Sequence, residues 1–375
     1  MYKEKIRVVY IKKKIPVKGI SNSWLLKNNK IKNILTKEYK IENLDYKKIK
    51  DNILSYLNNY GMRLKDKEII NNFLNENKFE IDKEILNKVN ELKKNNAKVL
   101  HEGKYGTTLY YEDKVLKIQK IRHINEIKKY LREIFMCYYV NKKFGLAPKI
   151  HFCEFYSLNN LEKNILMTEN EKIGGYLCDR NQYICGTYTM NKVEYIFCDL
   201  FDPEKMKEMY ENKAKNKIIL ENFSLALKIC IGNMELLMEN DINHNDLHDG
   251  NFGFTKEGKF NFIDFGLSML ISDISESRYK NIINEYSMKY FDEDINEHLI
   301  IKKYLLLREL RYLKNMYYFD DDSVQLEELY NDNKYSPIKT TLELLKKDEY
   351  KFGYYKKFLN QKIDIIKVKR ILEVE

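Results

Sequence analysis

Apolar positions along the chain switch between two periods, and the switches mark its elements. Residues 1–45 carry a weak pattern, with KIRVVYI alternating like a strand before irregular polar sequence around Pro16, Gly19 and Trp24. Helical spacing then holds over 46–59, 66–77 and 82–95; in the last, Asp82 is placed to cap, and Ile85, Val89 and Leu92 share a face. From Val99 the period drops to two in KVLHEG, GTTLYYE and KVLKIQK, with a tight turn at Glu112-Asp113-Lys114, and this predicts an antiparallel sheet. A long helix is expected over 123–143, with Ile124, Ile127, Leu131, Phe135 and Tyr138 on one side and Gly145 and Pro148 to stop it. APKIHFCEF and NILMTEN read as two further strands, and the Cys/Tyr-rich stretch 176–200 as an inserted hairpin. Helices dominate from about 216, first with Phe223, Leu227, Cys230, Met234 and Leu237 on one face, later in LIIKKYLLLRELRYL. No internal repeat interrupts this order.

Composition adds bounds. With 375 residues, 44% of them hydrophobic, and only 14 glycines and 4 prolines, the chain can bury sizeable cores and is not expected to be disordered. Its 6 cysteines show no C-x-x-C spacing and no nearby paired histidines, so neither a zinc site nor a disulfide framework is indicated and an intracellular location is expected. The first residues lack the apolar run of a signal peptide, and no segment approaches the length of a membrane span. The net charge of +10 is uneven: residues 1–50 hold 15 Lys/Arg against 4 Asp/Glu, a surplus of 11, which leaves the rest at −1. Such an arm suits an anionic partner, nucleic acid or membrane surface, although basic runs are commonly just solvated faces.

The candidate chemistry lies in HNDLHDGNFGFTKEGKFNFIDFGLS, residues 244–268. Chemistry on a nucleotide phosphate needs a cradle, cations and a group that orients the attacking hydroxyl. Asp246 is a candidate for the last task. Asn251 offers a neutral amide oxygen and Asp264 a carboxylate, hard ligands of the kind magnesium favours. The apolar FNFI before Asp264 predicts a buried strand that delivers that carboxylate.

This ordered set resembles the catalytic loop and D-F-G element of the protein-kinase-like superfamily, with Asp246 at the catalytic aspartate, Asn251 at the metal-binding asparagine and Asp264-Phe265-Gly266 at the metal-binding triplet. Upstream, Gly103-Lys104-Tyr105-Gly106 resembles the end of the phosphate-covering loop, with His101 where the family has its first glycine. Lys117 in VLKIQK resembles the lysine that meets the α- and β-phosphates. Its ion-pair partner is expected on the next helix, where Glu126 and Glu133 share a face and mid-helix Glu133 is preferred. By the same resemblance Thr168 backs the adenine pocket, and Glu169-Asn170 begin the connection whose backbone binds adenine. Asn245 stands where the family has arginine, and no A-P-E triplet follows Gly266, so the resemblance does not carry an arginine pocket for a loop phosphate.

What the resemblance implies is an α+β, bilobal protein-kinase-like fold, its small antiparallel N-lobe with one long helix at 98–169 and its mainly helical C-lobe at 170–375, after a basic, partly helical extension at 1–97. It also implies ATP and Mg as cofactors. Three acceptor readings stay open. A divergent serine/threonine protein kinase with a protein substrate is favoured by the complete Asp-Phe-Gly followed by Leu267-Ser268. A small-molecule kinase of the aminoglycoside- or choline-kinase kind is suggested by Asp-Leu-His-x-Gly-Asn, with His248 in place of lysine. A pseudokinase scaffold is the third, because fold alone does not prove activity. The Lys/Asn/Ile/Tyr-rich usage suits an AT-rich genome such as that of a large DNA virus or a parasite; the expected location is cytoplasmic, in the host cytoplasm if viral.

Overall fold

In the computed structural model of the chain, the described residues are 46–77, 83–84, 98–103, 106–111, 114–121, 124–157, 184–191, 213–255, 257–290, 296–317, 337–346 and 349–364. The chain divides into two units, Met1–Asp45 and Tyr46–Glu375, and every described residue lies in the second. Helices α1 (Tyr46–Gly61) and α2 (Lys67–Glu76) come first. Next are β1 (Lys83–Glu84), β2 (Lys98–Gly103), β3 (Gly106–Tyr111), β4 (Lys114–Ile121), α3 (Ile124–Phe144), β5 (Ile150–Ser157) and β6 (Ile184–Asn191). Helices α4 (Lys213–Glu239), α5 (Glu276–Tyr290), α6 (Glu297–Tyr317) and α7 (Pro337–Lys346) make up most of the remainder. Among them lie the short strands β7 (Ile242–Asn243), β8 (Phe252–Phe254), β9 (Phe260–Phe262) and β10 (Met269–Leu270). Helices dominate, beside small and almost wholly antiparallel sheets. Among the described residues no helix is long and apolar enough to cross a membrane.

The six-stranded sheet runs β1-β5-β6-β4-β3-β2. Its central strand corrects one expectation. The stretch 176–200 is expected as an inserted hairpin, but within it Ile184–Asn191 is a full strand of the sheet, paired on one side with β4 and on the other with β5. The physical reason is pairing: β4 and β5 each present a ladder edge, and a Thr- and Tyr-bearing run satisfies both. The described strands of this sheet therefore end, in chain order, at Asn191. The expected strand NILMTEN, with Thr168, Glu169 and Asn170, lies outside the described residues.

Helix α3 is built as its spacing predicts: Ile127, Leu131, Ile134, Phe135 and Tyr138 are all buried. It stops at Gly145, whose φ of +68° is left-handed and whose N–H returns to Asn141 O at 2.9 Å. Behind it, α1 and α2 do not form a separate extension. Phe73 packs edge-on against Phe135 and Tyr138, both at 5.1 Å, Tyr60 meets Phe135 at 6.0 Å, and Tyr138 Oη donates to Glu76 at 2.8 Å. The buried side chains of α1 and α2 belong to one continuous cluster with those of α3 and α4. Residue 97 is thus no break in packing; apolar faces on all these helices bury each other. The helix expected over 82–95 is replaced at 83–84 by a strand paired parallel to β5, and 85–97 lie outside the described residues. Phe73→Ala should cost about 3–5 kcal/mol of stability, read as a lower urea midpoint; an unchanged midpoint would mean that α2 contributes nothing to this core.

The C-terminal segment 349–364 closes over α4 and the β8–β9 hairpin. Ile363 N–H donates to Gly258 O at 3.3 Å, and Gly258, at φ +78°, has the Ile363 carbonyl only 2.2 Å from where a Cβ would stand. That approach admits glycine alone.

Candidate functional site

Strand β4 and helix α3 bring two distant side chains together. In β4, Leu116 is buried on one face, so Lys117 emerges on the other, toward α3. Lys117 Nζ lies 2.5 Å from Glu133 Oε1 and 3.2 Å from Asp264 Oδ2. Burial alone would lower the lysine's pKa, but the Glu133 and then the Asp264 carboxylates outweigh it and raise it above the ordinary value. For Asp264 burial pulls upward, and the Lys117 charge and hydrogen bond prevail, holding it below the usual carboxylate range. Its side chain is still 45% exposed, so it is open to a ligand. Glu133 is buried, as expected of the mid-helix position.

The hairpin β8–β9 explains how Asn251 and Asp264 meet. Phe252 pairs with Phe262, and Phe252, Phe254, Phe260 and Phe262 are all buried, so the hairpin is anchored by its aromatic face. Ile263 N–H then donates to Asn251 O at 2.9 Å, which sets Asn251 across from the residue before Asp264. The Asn251 amide nitrogen donates to Asp246 O at 2.8 Å and to Asp246 Oδ2 at 3.2 Å. This leaves the amide oxygen as the group Asn251 can offer a cation. Asp264 itself takes φ +56° and ψ +65°, a left-handed conformation uncommon outside glycine. Such strain persists only where the surroundings fix it, here by Lys117.

Strands β7 and β10 pair Asn243 with Met269 and Ile242 with Leu270, so the segment before Asp246 and the segment after Gly266 run side by side. His244 is buried against Phe262 and Phe265, and its Nε2 lies 2.9 Å from Ile263 O. Burial lowers its pKa, which keeps the ring neutral. Asn245, at φ +66°, donates through Nδ2 to Leu267 O at 3.1 Å and accepts at Oδ1 from Arg308. Asparagine tolerates that left-handed backbone better than most residues. The next residue on α6, Glu309, accepts the Leu247 N–H at 3.0 Å; burial raises its pKa, against the pull of that N–H and of Arg308. From α3, Arg132 Nη2 donates to Gly266 O at 3.2 Å. His248 Nδ1 accepts the Gly250 N–H at 3.1 Å and so caps the turn that carries Asn251.

The structure thus gathers Lys117, Glu133 and Asp264 in one ion-pair cluster and ties Asp246 to Asn251. Gly103 and Gly106 face each other across β2 and β3, closing a loop whose two other residues, Lys104 and Tyr105, lie outside the described residues, as does Glu169. Sequence reasoning missed Gln119, Arg132, Arg308 and Glu309. The last pair carries a signal in retrospect, polar residues inside the apolar run LLLRELRYL, whereas Gln119 only shares a strand face with Lys117. Among the described residues no three His, Cys, Asp or Glu side chains gather as a metal-binding group. One carboxylate and one amide oxygen suit magnesium, which is held by few protein ligands and completes its shell with phosphate and water.

No curated protein matches the chain. Residues 194–297, under half of it, match the family model described as ABC1 atypical kinase-like domain. The match spans Asp246, Asn251 and Asp264, whereas Lys117 and Glu133 lie before it. In this span the chain is similar to an atypical kinase-like domain of the protein-kinase-like superfamily, which suggests a phosphotransferase or a pseudokinase of mixed, mostly helical architecture.

Proposed function

We propose that this chain is an ATP- and magnesium-dependent phosphotransferase whose acceptor is a serine or threonine hydroxyl of a protein. The observation that supports it best is Lys117 held between Glu133 and Asp264 at 2.5 and 3.2 Å. Phosphoryl transfer is mainly positioning and charge neutralisation, and kinase activity needs both this lysine–glutamate pair and the Asp-Phe-Gly aspartate in place. Asn251 and Asp264 would hold the magnesium ion, which neutralises charge on the phosphates when bound. Lys117 supplies a cation to the same phosphates, backbone N–H groups about Gly103 and Gly106 line their cradle, and Asp246 orients the acceptor hydroxyl. Because β6 pairs with β4 and ends at Asn191, the backbone that meets adenine is expected beyond that residue, not at Glu169. With the six-stranded sheet and α3 on one side and α4 and α6 on the other, the arrangement fits a two-lobed kinase.

The test incubates the purified full chain with γ-labelled ATP and magnesium, offering basic and acidic proteins beside a panel of sugars and aminoalcohols. Label on protein Ser or Thr is the expected result. Label on a small molecule alone would make this a small-molecule kinase, and nucleotide binding without transfer a pseudokinase scaffold. The positive surplus in residues 1–50 supports docking of this intracellular enzyme to a phosphate-rich surface, nucleic acid or membrane. Its affinity for such a surface should fall steeply with salt. A chain cut just before Tyr46 that retains full, salt-sensitive binding would remove that role.

A further inference from the structure

Glu133 has two carboxylate oxygens, and only one of them is held by Lys117. The other, Oε2, accepts a hydrogen bond from Gln119 Nε2 at 2.7 Å. Gln119 stands two residues beyond Lys117 on β4, hence on the same face, and reaches the same carboxylate from the far side. Its neighbours across the sheet are both glycines, Gly106 on β3 and Gly186 on β6. Neither of these two paired residues has a side chain to compete for its amide. Gly266 is also close, since a Cβ there would stand 3.5 Å from Glu133 Oε2.

We propose that Gln119 is a positioning residue that holds Glu133 in place independently of Lys117. The inference rests on the kinase reading above. Lys117 is shared between Glu133 and Asp264, and on that reading it also meets the phosphates, so its charge is divided among several anions. A second donor on Oε2 keeps Glu133 in register while that charge is divided. A neutral amide donor holds it without adding a charge that phosphate would attract away. Gln119 touches neither nucleotide nor acceptor; it acts through Glu133.

Gln119→Leu and Gln119→Glu separate this role from simple packing. Among the described residues, the charged and titratable groups about the Gln119–Glu133 contact include Lys117 on β4, Cys137 on α3 and, through Lys117, Asp264. Burial pushes the Cys137 thiol far up, so it stays neutral throughout. A protonated glutamate at 119 can still donate to Glu133, and an ionised one cannot; two adjoining carboxylates also share a proton to higher pH than either alone. Turnover, KM for ATP and the thermal midpoint are measured for wild type and both variants from about pH 5.5 to 8.5. Gln119→Leu should lose about tenfold in kcat/KM at every pH, an order typical of groups that orient a site. Gln119→Glu should match wild type at the acid end and fall progressively below it, in both turnover and midpoint, as pH rises. A Gln119→Glu profile parallel to wild type, or a Gln119→Leu variant as active as wild type, overturns the inference. If wild type neither binds nor turns over ATP, the kinase reading fails, and the pH dependence of the midpoint difference still decides whether Gln119 holds Glu133.

Discussion

Asp246→Asn should abolish phosphoryl transfer, by at least about a hundredfold, while magnesium-dependent ATP binding stays nearly intact. The substitution keeps the shape and leaves an amide oxygen to accept the Asn251 bond now made by Asp246 Oδ2 at 3.2 Å, so the loop need not move. What is lost is the carboxylate that, on the proposed reading, orients the acceptor hydroxyl. Asp264→Ala should behave differently, losing both turnover and the magnesium dependence of ATP binding, because it removes the proposed cation ligand and one of the two carboxylates on Lys117. Its effect should also depend on pH. The folded-state pKa of Asp264 is depressed, so the stability it contributes is present above the ordinary carboxylate value and is lost as pH falls through the folded value. Turnover and equilibrium ATP binding, each with and without magnesium, separate the two variants. If both kept wild-type turnover, neither residue would belong to the reaction.

Glu235→Leu should destabilise the protein by about 3–5 kcal/mol, enough to threaten a domain of ordinary stability. Glu235 lies fully buried on α4 and accepts three hydrogen bonds from the C-terminal segment: Tyr350 Oη at 2.5 Å, Gly353 N at 2.6 Å and Tyr355 N at 3.2 Å. Leucine fills the space but leaves those three donors without an acceptor. The same segment carries Ile363 onto Gly258 of the β8–β9 hairpin, so the loss should also loosen the hairpin between Asn251 and Asp264. Chemical denaturation measures the first effect and ATP affinity the second. The pH dependence has a definite sign. Burial raises the Glu235 pKa more than its hydrogen bonds lower it, so the folded state holds a proton that the unfolded state gives up. The stabilisation from that proton is complete below the ordinary carboxylate value and is lost as pH rises through the folded value. Wild type should therefore lose stability relative to Glu235→Gln over that window, and a pH-independent difference would mean that Glu235 does not titrate in it.

Much of this architecture was legible in one dimension because its causes are local. The helix over 124–144 follows from Ile127, Leu131, Phe135 and Tyr138 at helical spacing and from a glycine able to take φ +68° at its end. The strands at 98–121 follow from alternation, and the Asp246–Asn251–Asp264 order carries the kinase resemblance because a short aromatic hairpin is all that separates its members. Glu133 could be preferred over Glu126 from position in the helix alone. The rest depends on pairings that the local pattern does not encode. Whether 184–191 is a hairpin or a central strand is decided by the open ladders of β4 and β5, since the same alternating run satisfies either. Whether 46–77 is an appendage or part of the core is decided by Phe73 finding Phe135 and Tyr138, over 60 residues away in sequence. Arg308 and Glu309 reach the loop at Asn245 and Leu247 from a helix as far along the chain, and the Glu235 contacts span more still. Periodicity reports which face of an element is apolar; which partner covers that face, and which buried polar group meets which donor, is settled only when the whole chain closes its core.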